Sequence, residues 1–83
     1  MPALKDVAYP EKLSGYQRAL LEYLCAGGHG TNQQLADWLY AHRADGGPLT
    51  AEQTVGVMLH RIRRKLRPGW RIEPLGIGLK GPD

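Results

Sequence analysis

Three times along this chain a serine or threonine is followed three positions later by glutamine: Ser14 with Gln17, Thr31 with Gln34, and Thr50 with Gln53. Each pair can form a reciprocal cap. The hydroxyl accepts from an early helix N–H, and the glutamine side chain reaches back to the N–H of the cap residue. Each pair also opens a run whose apolar residues recur at the helical period. The chain is thereby confined to three helix starts, and the residues between them set the stops. A first helix is expected over 15–26, with Leu20, Leu21 and Leu24 inward, ended by Gly27-Gly28. A second is expected over 32–42 with Leu35, Trp38 and Leu39 inward, and residues 43–49, RADGGPL, read as a loop. The third covers 50–67 and ends at Pro68-Gly69. Beyond it, Trp70, Ile72, Ile77 and Leu79 alternate with polar or glycine positions around Pro74 to Gly76, the pattern of a short β-hairpin. The expected fold class is mainly α with a small β-hairpin. It is a winged helix-turn-helix, three helices plus a C-terminal wing over 13–81, preceded by a short N-terminal arm over 1–12.

The third helix carries the chemistry. Val55, Leu59, Ile62 and Leu66 recur at i, i+4, i+7 and i+11 and form one apolar stripe. At about 100° per residue, the opposite side is centred on Val57 and Arg64, with Gln53, Thr54, His60 and Arg61 beside them. Arg63 and Arg67 flank one edge and Lys65 leans to the other. No acid occurs between Glu52 and Glu73, so these cations lack local partners. A helix built only for solubility interleaves both signs. This one is patterned to lie against a polyanion.

Charge distribution across the chain agrees. The formal net charge is only +3, but residues 60–71 hold six positives and no acid, whereas the rest carries five positives and eight acids. A slightly acidic body with one basic face is the electrostatic footprint of a nucleic-acid-binding protein. At 83 residues and 42% hydrophobic content, the chain can close one modest core and is not disordered by composition. Cys25 stands alone, so no internal disulfide is expected; it reads as a small buried apolar residue of the first helix. No apolar run opens the chain and none approaches the roughly 20 residues of a membrane span, so a cytoplasmic, nucleoid-associated protein is expected.

QTVGVMLHRIRRKL, followed by Ile72 and GIGLK, resembles the C-terminal DNA-binding domains of OmpR/PhoB-type response regulators. The matching positions are Thr54-Val55, Leu59, Arg61 to Leu66 and Gly76-Ile77-Gly78, with Leu13-Ser14 and Leu20-Leu21 fitting the family's opening. The likeness covers residues 13–80. It implies a winged helix that docks its third helix in the DNA major groove. Several family features have no counterpart here. Residues 1–12 are too few for the family's N-terminal sheet, and no receiver domain is present in the sequence. Gly56 stands where the family usually carries an acidic base-contacting residue, and Pro74-Leu75 where it often has an arginine near the wing tip.

The expected function is double-stranded DNA binding by a small bacterial or phage transcriptional regulator. Candidate contacts are Gln53, Thr54, Val57, His60, Arg61, Arg63, Arg64, Lys65 and Arg67 on the third helix and Arg71 at the wing root, with Trp70 read as core. Arg61 and Arg64 can offer a planar fork to guanine, and Val57 can meet a thymine methyl. The rival reading is a protein-interaction module that uses the same basic face, or the loop 43–49, to hold an acidic partner. In the family resembled, the corresponding loop is associated with RNA polymerase contact. A monomer, or a dimer formed on DNA, is expected. No enzyme is expected and no cofactor. Cys25, His29, His42 and His60 lack zinc-ligand spacing, and no helix follows Gly76-Ile77-Gly78 as a dinucleotide fingerprint requires.

Overall fold

A computed structural model describes residues 2–41, 51–74 and 76–81. The described elements are α1 (Leu4–Val7), a 3-10 turn (Pro10–Lys12), α2 (Gly15–Cys25), α3 (Asn32–Leu39), α4 (Ala51–Arg63), β1 (Arg71–Ile72) and β2 (Leu79–Lys80). The protein is thus mainly helical with a small two-stranded antiparallel sheet.

Two of the three capping boxes lie in the described residues, and both form. Ser14 Oγ accepts from the Gln17 N–H at 3.4 Å, and Gln17 Oε1 accepts from the Ser14 N–H at 3.5 Å. At α3 the same exchange joins Thr31 and Gln34 at 3.1 and 2.9 Å. The third box, at Thr50, and the loop 43–49 fall outside the described residues.

The end of α2 follows from its glycines. Gly27, at φ 94°, turns the chain left-handed. The Gly27 N–H then donates to the Leu24 carbonyl at 3.1 Å and that of Gly28 to the Tyr23 carbonyl at 2.9 Å, the bond pair of a Schellman cap. A side chain at Gly28 would collide with the Tyr23 ring.

The core gathers one stripe from each helix: Leu20, Leu21 and Leu24 from α2, Leu35, Ala36 and Leu39 from α3, and Val55, Met58, Leu59 and Ile62 from α4. Ile72 and Ile77 close it from the hairpin. The hairpin pairs Arg71 with Lys80 and Ile72 with Leu79, extended by a Glu73 N–H to Gly78 carbonyl bond of 2.9 Å. An isolated bridge sets Gly30, in the α2–α3 connection, against Ile77, with the Gly30 N–H donating to the Ile77 carbonyl at 3.0 Å. Cys25 is buried, and burial, with Glu22 nearby, raises its thiol pKa, so it sits protonated as a packing residue. Among the described residues no helix is long and apolar enough to cross a membrane.

Three expectations need correction. The helix expected over 50–67 stops at Arg63. Leu66 is half-buried and bridged to Ala8, and the Arg67 N–H donates to the Val7 carbonyl at 2.7 Å. The N-terminal segment thus offers the chain a backbone partner that a further helical turn would have forfeited. Val7 and Ala8 are fully buried, so this segment is integral to the core. Next, α3 ends at Leu39 rather than at 42. Tyr40 is buried with its ring 5.4 Å from that of Tyr16, and the Ala41 N–H reaches only the Trp38 carbonyl, at 3.4 Å. His42 lies outside the described residues. Finally, Trp38 does not point inward. Ala36 and Tyr40 take the inward places, and Trp38 is 40% exposed, stacked on Tyr23 with centroids 4.3 Å apart.

Candidate nucleic-acid interface

Burial of Val55, Met58, Leu59 and Ile62 fixes the rotation of α4 and decides what its other side presents. Glu52, Gln53, Val57, His60, Arg61 and Arg63 are exposed, and Thr54 and Gly56 are half-buried. Val57 is 51% exposed, a large apolar group in the middle of a polar face. Gly56 faces the start of α3, where an added Cβ would lie 3.4 Å from Asn32 Nδ2, so the close approach available to it is to a neighbouring helix.

Charged side chains on the outer faces of α2 and α3 have local partners. Arg18 pairs with Glu22 on α2 at 3.4 Å, and Gln33 donates to Asp37 on α3 at 2.8 Å. Among the described residues no side chain of α4 is paired in this way. Among the described residues no ion pair engages Arg61, Arg63 or Arg64. Cations in the last turn of a helix gain about 0.3–1 kcal/mol each from the helix dipole, which accounts for part of their placement. It does not account for Arg64, which follows the helix end and is also exposed and unpaired.

The ten residues singled out in the sequence therefore divide. Gln53, Val57, His60, Arg61, Arg63, Arg64 and Arg71 are exposed, although Arg71 Nε lies 3.5 Å from Glu73. Thr54, Lys65 and Arg67 are half-buried. The Lys65 ammonium turns back on the body of the protein, donating to the Lys12 carbonyl at 2.8 Å and to Gln17 Oε1 at 2.9 Å. The Arg67 guanidinium carbon lies 4.2 Å from the centre of the Tyr9 ring. Because α4 ends at Arg63, Arg64 and Arg67 do not take the angular positions that a helix to residue 67 would give them. Lys12 and Tyr9, which these cations meet, carry no signal in the sequence. They lie more than fifty residues away in a segment without periodicity.

Elsewhere, an apolar groove of about 630 Å³ runs between α2 and α3, lined by Ser14, Gly15, Tyr16, Ala19, Trp38 and Leu39, with no charged side chain. Among the described residues, no group of three His, Cys, Asp or Glu side chains could hold a metal ion. No known family matches the chain, no curated protein matches its sequence, and no solved structure matches its fold.

Proposed function

We propose that the protein is a winged helix-turn-helix that binds double-stranded DNA, with the exposed side of α4 in the major groove. The observation that carries the reading is the run of exposed guanidinium groups at Arg61, Arg63 and Arg64, without an ion pair among the described residues, on and just beyond the exposed face of a helix whose other side is core. A helix about 10–12 Å across fits a groove about 12 Å wide. Arg61 can offer two parallel N–H donors to guanine O6 and N7. Val57 beside it matches a thymine methyl. Arg63, Arg64 and Arg71 suit phosphates, whose contacts position the helix without reading sequence. The winged-helix part of the reading is supported by the Gly30–Ile77 bridge, which lays a third extended segment beside the hairpin that follows α4. Together with the resemblance of residues 13–80 to OmpR/PhoB-type domains, this docking mode supports a role as a small transcriptional regulator.

The experiment is a titration of a labelled duplex at several salt concentrations. Three guanidinium contacts should give log K against log[salt] a slope of about −3 or steeper. A slope near zero, or no binding at low salt, would instead favour an acidic protein as the partner of this face.

A further inference from the structure

Tyr9 is 43% exposed, and two cations from opposite ends of the chain lie over its ring. The Arg67 guanidinium carbon is 4.2 Å from the ring centre and the Lys12 ammonium 5.2 Å. The Lys65 ammonium is anchored on the same segment, donating to the backbone carbonyl of Lys12 at 2.8 Å and to Gln17 Oε1 at 2.9 Å. The Ala8–Leu66 bridge and the 2.7 Å bond from the Arg67 N–H to the Val7 carbonyl pin the two segments together. Among the described residues no carboxylate forms an ion pair with any of these three cations. Glu11 and Asp6, the acids of the same segment, are exposed and take no part.

Gathering three positive charges costs mutual repulsion that a solvated surface avoids by spreading or pairing them. A ring face offsets part of it for the cations lying over it. An anion at the cluster would offset more. The cluster also follows directly in sequence on the candidate interface, because exposed Arg64 stands between Arg63, the last residue of α4, and Lys65.

We propose that Tyr9, Lys12, Lys65 and Arg67 form a second phosphate-contact site, which carries the DNA backbone footprint from the end of α4 onto the N-terminal segment. This rests on the DNA reading. In it, exposed Lys12 makes the direct contact. Half-buried Lys65 and Arg67 hold the local potential positive and position Lys12 and Tyr9. Phosphate suits the site because ammonium groups act as point charges that accept a tetrahedral anion from many directions.

The test compares the unaltered protein with Lys12→Ala and Lys12→Arg on one labelled duplex across a salt series, with thermal melting of each. Lys12→Ala should bind about five- to tenfold more weakly at about 0.1 M salt and shift the salt slope by about one toward zero. Lys12→Arg should keep both values, and all three proteins should melt alike. Unchanged affinity and slope in Lys12→Ala overturns the second site and leaves the α4 reading intact. Absence of duplex binding by the unaltered protein, or binding only to vesicles containing phosphatidylserine, overturns both.

Discussion

Truncating Leu59 to Ala should destabilise the protein by about 2–5 kcal/mol, the usual cost of removing a fully buried leucine side chain and leaving a cavity. Leu59 is only 1% exposed, at the centre of the α4 stripe that packs against α2 and α3. An 83-residue domain has about 4–12 kcal/mol of stability at its disposal. The variant should therefore be unfolded or nearly so at moderate urea. Val57→Ala, two residues away on the 51% exposed side, should change stability by no more than about 0.5 kcal/mol. Equilibrium urea denaturation of both variants checks the rotation of α4 on which the interface depends. Similar losses for the two would mean that the helix is turned otherwise.

Arg61→Ala should cost about 1–3 kcal/mol of duplex affinity, roughly five- to 150-fold, and relax the preference at one or two base positions. Its side chain leaves α4 beside Val57 and has no ion pair among the described residues, so stability should hardly move. Arg64→Ala should behave differently. Arg64 lies in the turn after α4, away from the helical position the sequence suggested, and it should weaken preferred and scrambled duplexes alike. Arg67→Ala should show its main effect in melting, with a smaller and sequence-independent loss of affinity, because its guanidinium packs on the Tyr9 ring and supports Lys12 rather than facing the groove. Affinities of the three variants on preferred and scrambled duplexes, beside their melting curves, separate these roles. If Arg61→Ala leaves the ratio of the two affinities unchanged, α4 is not the reading element.

Local chemistry was legible in the sequence and long-range pairing was not. The boxes at Ser14 and Thr31 and the glycine stop after α2 act within five residues, and they form as read. The stripe of Val55, Leu59 and Ile62 followed from period, and the antiparallel hairpin from period together with the turn residues between its strands. Leu66 fits the same helical period, yet it leaves the helix because Val7 and Ala8 supply backbone partners from the other end of the chain. No pattern around residue 66 announces that competitor. Trp38 failed for a related reason. Its spacing suits the core, but Tyr40 fills the inward place and Tyr23 offers Trp38 a ring to stack on. In the interface, the exposed residues of α4 were found from pattern because a helix fixes their direction. Lys65 and Arg67 were placed on the edges of that face by carrying the helix to residue 67, although their side chains are held by Lys12, Gln17 and Tyr9, contacts that only the fold creates.

The most direct measurement of DNA docking by α4 is a duplex titration followed through the backbone amide shifts of the labelled protein. The largest changes are expected along α4 from Gln53 through Arg63, at Arg64, and at Arg71 in β1, with the groove side of α2 and α3 at Tyr16 and Trp38 unmoved. Changes centred on Tyr16 and Trp38, or none at low salt, would contradict it.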